Sequence, residues 1–264
     1  MPFVESEDVR IHYQDRGEGT PVLGVMGFAL DQRYWAAQIP AVTKSHRFIT
    51  LDNRGVGKSR GPAPTSVDEM AEDALSVLDH LGIEQAVIFG ASLGGAIAQR
   101  LILDHPERAI GLILAVTYAR PMEFMRRQHD LTRRLLEGVG INGLVEGSLL
   151  RMFTPEFFEV GREVIDRMAA AFMADEDKMP PVDVLTAQLD ALDKHDALAD
   201  LHTIQVPTLV IGAKMDVMVP YLGSKEIAQA IPGAEFVTFE TGHGCMVEEM
   251  DAFNATLEKF LAQF

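Results

Sequence analysis

Short apolar runs that alternate with helix-like stretches set the tightest limit on how this chain can fold. The runs are Val22 to Met26, Arg47 to Leu51, Ala86 to Phe89, Ala109 to Val116, Thr208 to Gly212 and Glu235 to Phe239. Strands that are apolar throughout are buried on both faces, so the alternation predicts a mostly parallel sheet with helices on both faces, an α/β fold. Val9 to Gln14 reads as an edge or antiparallel strand. Between the runs, Val67 to Leu81 places Met70, Ala74, Leu75 and Leu78 at helical spacing, and Leu93 to Asp104 ends ahead of Pro106. A chain of 264 residues is long enough for one such domain with an insertion.

The rhythm breaks between Tyr118 and His202, where helical stretches follow one another and turn signals fall at Gly138 to Gly143, Thr154-Pro155 and Pro180-Pro181. This predicts an inserted helical cap over 118–202 on a core formed by 1–117 and 203–264. The block is rich in Met and Phe: Met122, Phe124, Met125, Met152, Phe153, Phe157, Phe158, Met168, Phe172 and Met173. Most are expected to pack the cap onto the core, and a subset is expected to line an apolar pocket, since Met adapts to irregular apolar ligands.

The segment Val87 to Ala96 reads as a strand, a sharp turn and a helix start, with Gly90-Ala91-Ser92-Leu93-Gly94 at the turn. A serine at such an elbow is pushed out of the sheet and needs small neighbours two residues away on each side. Ser92 is therefore the candidate nucleophile. Downstream, Asp216 follows the strand Thr208 to Gly212, and His243 follows the strand Glu235 to Phe239. Loops beyond the carboxyl ends of strands are where open α/β sheets build their sites. The order Ser92, Asp216, His243 is that of a nucleophile, an orienting acid and a base on such a sheet, and three loops can bring them together. Asp216 is preferred as the acid over Glu123, Glu240 and Glu248. Cys245 reads as a structural thiol, lacking a base or helix start of its own.

Met26-Gly27-Phe28 follows the strand Val22 to Met26, so the backbone N–H groups of Phe28 and Leu93 are the candidate oxyanion donors. Met26, Gly27, Met122, Met125 and Met218 are the candidate substrate-binding residues. Gly57-Lys58-Ser59 matches the end of a phosphate-binding loop, but that pattern needs glycine at 52, where Asp52 stands, and a helix afterwards, where Arg60-Gly61-Pro62 stands. A tight turn is expected there instead.

Thirty-nine acidic against 23 basic residues give a formal charge of −16, which opposes nucleic acid or an anionic membrane as partner and leaves a small molecule. One cysteine, no secretion-like start and no apolar run of about 20 residues predict a cytoplasmic chain. Homo-oligomerisation is left open. No residue pattern calls for a metal or a cofactor.

Gly90-Ala91-Ser92-Leu93-Gly94-Gly95, the Asp52 to Ser59 turn, Asp216-Val217-Met218-Val219-Pro220 and Gly242-His243 resemble the α/β-hydrolase superfamily, in particular its bacterial enol-lactonases, carboxylesterases and cofactor-free haloperoxidases. The resemblance implies an eight-stranded sheet with the cap after the sixth strand. It also implies hydrolysis of a carboxylic ester or lactone through an acyl-enzyme on Ser92. Carbon–carbon bond hydrolysis, perhydrolase-type chemistry and a non-catalytic binding protein are the alternatives on the same fold. One departure stands out: many relatives have His-Gly where this chain has Met26-Gly27, which leaves the backbone donor at Phe28 but puts a thioether beside the pocket.

Overall fold

The computed structural model describes residues 2–6, 8–173 and 179–264; the side chains of Phe172 and Met173 lie outside the described residues. Eight strands form a single sheet: β1 (Phe3–Ser6), β2 (Val9–Arg16), β3 (Thr20–Val25), β4 (His46–Leu51), β5 (Ala86–Ala91), β6 (Ala109–Ala115), β7 (Thr208–Ala213) and β8 (Glu235–Phe239). Their order is β1-β2-β4-β3-β5-β6-β7-β8. Among the named strands of the described residues, only the pairings β1 with β2 and β2 with β4 are antiparallel. Every residue of β5 and β7 is buried, as expected of strands covered on both faces.

The helices are α1 (Ile39–Val42), α2 (Val67–His80), α3 (Leu93–Asp104), α4 (Glu123–Met152), α5 (Pro155–Val160), α6 (Arg162–Met173), α7 (Val182–Lys194), α8 (Tyr221–Ala230), α9 (Cys245–Glu248) and α10 (Met250–Leu261). Strand side chains alternate between two apolar layers. Leu23, Ile88, Leu112 and Val210 join α2 and α3 on one face, while Val22, Phe89, Ile113 and Ile211 join Trp35, Val42 and α10 on the other. The start of α2 is set locally: Ser66 Oγ accepts the Glu69 N–H at 3.1 Å, and the Glu69 carboxylate accepts the Thr65 N–H at 2.7 Å.

Helices α4 to α7 lie between β6 and β7. Gly140, at φ 69° and ψ −169°, breaks α4 into two halves. The second half packs Val145, Leu149 and Met152 with Phe153 and Ile165, and this cluster rests on Tyr34, Met218 and Val247 of the core.

The chain runs from β3 outward to β4 and then returns to the opposite side of β3 as β5. Such a reversal opens a crevice at the carboxyl ends of the two strands. The loops after β3 and β5 both enter it.

Candidate active site

A single residue, Ser92, separates β5 from α3, at φ 55° and ψ −119°. Its N–H donates to Ala115 O at 2.9 Å, and its carbonyl accepts the Gly95 N–H at 2.8 Å and the Thr117 hydroxyl at 2.7 Å. A Cβ on Gly90 would stand 2.2 Å from the Gly94 carbonyl oxygen, and one on Gly94 would stand 2.0 Å from that of Val25. Glycine is thus required at both places by close backbone approach. The elbow cannot form without it.

Asp216 lies in the turn after β7. Its Oδ1 accepts the N–H groups of Met218 at 2.7 Å and Val219 at 2.8 Å, and its Oδ2 lies 2.7 Å from His243 Nδ1. A carboxylate only accepts, so Nδ1 carries the proton and Nε2 is left with its lone pair. The loop bearing His243 is held on both sides: Gly242 N–H donates to Glu248 Oε1 at 2.9 Å, and Gly244 N–H donates to Met152 O at 2.8 Å. Glu248 also accepts the Thr154 hydroxyl at 2.6 Å, while Glu240 pairs with Lys214 and Glu123 with Arg127. Of the four acids weighed from the sequence, Asp216 is the one on His243.

The loop after β3 lies against Ser92, since a Cβ on Gly27 would come within 3.1 Å of Ser92 Cβ. Asn53 Nδ2 donates to Met26 O at 2.9 Å, Leu30 N–H to Gly27 O at 3.3 Å, and Ala29 N–H to Gln188 Oε1 at 3.2 Å. In a trans peptide the N–H points opposite to the carbonyl of the same unit. With the Gly27 carbonyl turned to Leu30, the Phe28 N–H faces away from that contact. The Leu93 N–H is the first of α3 and has no acceptor within its own helix.

The Asp52 to Ser59 segment is a turn closed on a carboxylate. Asp52 accepts the N–H groups of Gln32 and Lys58, both at 2.9 Å, and approaches His12 Nδ1 at 2.9 Å. Asn53 of the same turn is the residue holding Met26. The turn therefore braces the loop beside Ser92. Gln188 does so from α7, and its signal in the sequence was a glutamine on the apolar face marked by Val184, Leu185 and Leu192.

Ser92 and His243 line a cavity of about 90 Å³ together with Met26, Gly27, Phe28 and Met218. From α4 come Ile141, Leu144, Val145, Ser148, Leu149 and Met152. Met122 and Met125 do not line it: Met125 is buried in the main core, and Met122 packs against that core. The reason is the break at Gly140, because only the half of α4 beyond it faces the cavity. Among the described residues the lining holds no Asp, Glu, Lys or Arg, and burial pushes the pKa of the Tyr34 hydroxyl upward, so it stays neutral. Arg54, Arg120 and Arg126 point elsewhere, to Asp73, Glu226 and the Asp193 carbonyl. Cys245 is fully buried, and burial followed by Asp216 and Glu248 pushes its thiol up, so it stays protonated.

Among the described residues three non-glycines have positive φ: Ala29 at 62°, Ser92 at 55° and Val116 at 44°. All three line this cavity. Strained backbone of this kind concentrates at functional sites. The described residues contain no cluster of three or more His, Cys, Asp or Glu able to hold a metal ion, and no helix among them is long and apolar enough to cross a membrane.

The chain is 31% identical to "Putative carbamate hydrolase RutD" of Azorhizobium caulinodans over 265 residues, covering 100% of this chain and 99% of that protein. The crystal structure of the enol-lactonase from Burkholderia xenovorans superposes with a TM-score of 0.90 at 26% identity, over 99% of this chain and all of that one. A thermophilic esterase from Thermogutta terrifontis superposes at 0.86 with 27% identity, over 97% of this chain and 94% of that one. With the alpha/beta hydrolase fold family matching residues 20–249 on the same eight-stranded sheet, the chain belongs to the α/β-hydrolase superfamily.

Proposed function

We propose that this chain is a serine hydrolase that cleaves a carboxylic ester or lactone of a small apolar substrate through an acyl-enzyme on Ser92. The observation that carries this reading is one arrangement. His243, oriented by Asp216 at 2.7 Å, opens onto the same apolar cavity as the serine of the β5–α3 elbow.

In the proposed reaction His243 Nε2 takes the Ser92 hydroxyl proton as Oγ attacks the substrate carbonyl carbon. The charge that moves onto the carbonyl oxygen is received by the N–H groups of Phe28 and Leu93, aided by the positive end of α3. The tetrahedral adduct then expels the alkoxide, which leaves as the alcohol with the proton from His243. A water molecule repeats the sequence on the acyl-enzyme: His243 takes its proton, the acid is released and Ser92 regains its hydrogen. Asp216 stays ionised throughout and stabilises the imidazolium.

The relatives' names favour two substrate classes. Enol-lactonase and esterase fit an apolar cavity with neutral polar groups. Carbamate cleavage, suggested by the RutD name, is the second reading; a small anion is disfavoured because no cationic side chain lines the cavity among the described residues. The proposed setting is cytoplasmic, with a small molecule as partner, and neither nucleic acid nor membrane suits the charge of −16.

The test is kcat/KM across p-nitrophenyl acetate, butyrate, hexanoate and octanoate, beside a lactone, a carbamate and a vinylogous diketone, with fluorophosphonate labelling of Ser92. Each buried methylene contributes about 0.8 kcal/mol, so two more carbons are expected to raise kcat/KM roughly tenfold until the cavity is full. Preference for the carbamate or diketone would replace the ester reading, and failure to label Ser92 would remove the nucleophile.

A further inference from the structure

Among the described residues, two polar side chains besides Ser92 and His243 face the cavity, Tyr34 and Ser148. Neither takes part in the chemistry proposed above. On α4 the lining residues Ile141, Leu144, Val145, Ser148, Leu149 and Met152 follow helical spacing, so they form one stripe with the serine in its middle. An apolar side chain is what such a stripe calls for at 148. A helical serine can satisfy its hydroxyl on the carbonyl four residues earlier, as the Thr43 and Thr256 hydroxyls do at 2.8 and 2.9 Å. The Ser148 hydroxyl makes no such bond, nor any other to the described residues. Tyr34 donates its hydroxyl to Met152 Sδ at 3.2 Å, a weak acceptor, and its oxygen lone pairs receive no donor among the described residues. Met152 is one helical turn beyond Ser148 on the same face, about 5–6 Å away at Cβ, so Tyr34 meets the stripe that carries Ser148 one turn further along.

We propose that Ser148 and Tyr34 form a subsite in the α4 wall of the cavity for a neutral oxygen function (hydroxyl, ketone or ether) carried on the apolar part of the substrate. This rests on the ester or lactone reading for the identity of the scissile bond. An all-carbon chain that fills the cavity strips water from both hydroxyls and returns nothing. A ligand oxygen at the right depth restores a hydrogen bond. An ionised group gains no countercharge from the described lining residues and is excluded by the cost of its own desolvation. Burial raises the Tyr34 pKa, so its hydroxyl remains a neutral donor and acceptor across the working range.

The experiment measures equilibrium binding by titration calorimetry to the Ser92→Ala protein, so that turnover plays no part. The ligands are methyl hexanoate and its analogues with one methylene, at carbon 3, 4 or 5, replaced by an ether oxygen. Each affinity is expressed relative to the parent ester and compared among Ser92→Ala, Ser92→Ala/Ser148→Ala and Ser92→Ala/Tyr34→Phe, with thermal unfolding confirming that each variant is folded. At one oxygen position the relative affinity is expected to fall about three- to tenfold on loss of either hydroxyl, the worth of one neutral hydrogen bond. Ratios that agree within twofold at every position, or no measurable binding of any ester, overturn the subsite. Hydrolysis of the same esters by the wild-type chain is scored separately. A ratio shift without turnover keeps the subsite and discards the esterase reading, and turnover without a ratio shift does the reverse.

Discussion

Gly27→Ala isolates the contact between the Phe28 loop and the predicted nucleophile. The added Cβ would stand 3.1 Å from Ser92 Cβ, 3.3 Å from Ala91 O and 3.6 Å from Ser92 Oγ. Carbon atoms sit comfortably at about 3.5–4.0 Å, so the loop and Ser92 must part by roughly 0.5 Å. Overpacking of this size costs about 1–3 kcal/mol, against a stability on the order of 5–15, so the variant stays folded at 25 °C. The effect on turnover is larger. A misplacement of about 1 Å at a reacting centre costs on the order of 100-fold, and here the proposed nucleophile and the proposed oxyanion donor move apart together. Turnover is expected to fall about 10- to 100-fold, with slower fluorophosphonate labelling and a modestly lower denaturation midpoint. A variant that labels and turns over within threefold of wild type would refute the placement of this loop against Ser92.

Other outcomes follow from the same structure. Gly94→Ala, whose Cβ would meet the Val25 carbonyl at 2.0 Å, should yield no folded protein by circular dichroism, since a backbone atom cannot swing aside. Ser92→Ala should lower kcat by about 10⁴ to 10⁶ while leaving thermal unfolding nearly unchanged. Arg54→Met strips the buried Asp73 carboxylate, already raised in pKa by burial, of its guanidinium partner at 2.5 Å, and should cost about 3–5 kcal/mol in denaturant unfolding; restoration by Asp73→Leu in the same chain is expected. His195 is buried, with Nε2 unpaired among the described residues and a pKa pushed down to about 4, chiefly by burial. The unfolded chain therefore binds a proton that the folded one refuses, and stability is lost as pH falls from about 6.5 to about 4. Folded His195→Gln should lose about 3 kcal/mol less than wild type between pH 7.5 and 4, as measured by urea unfolding.

The elbow at Ser92 and the loops of Asp216 and His243 were legible because each depends on local grammar: an apolar strand, a turn, a small residue. The strand β1 was not, because Phe3–Ser6 holds only two apolar residues and is defined by its pairing with β2. Met122 and Met125 show the limit more sharply. Apolar content marked the helical segment as able to line a pocket, but which half does so depends on the break at Gly140, and glycine in a helical stretch does not announce its φ. The stripe from Ile141 to Met152 was present as spacing in the sequence. Its partner surface was not.

Ala29, Ser92 and Val116, each at positive φ without being glycine, set a long-term tension in this molecule. Each such residue costs on the order of 1–3 kcal/mol, so the trio together rivals the net stability of an ordinary domain. Selection for heat resistance alone would relax these three positions before most others, because glycine there recovers conformational energy at once. A lineage under that selection alone would thus lose the shape of its cavity while gaining overall stability. Persistence of the strained trio among descendants would record that the cavity was still in use.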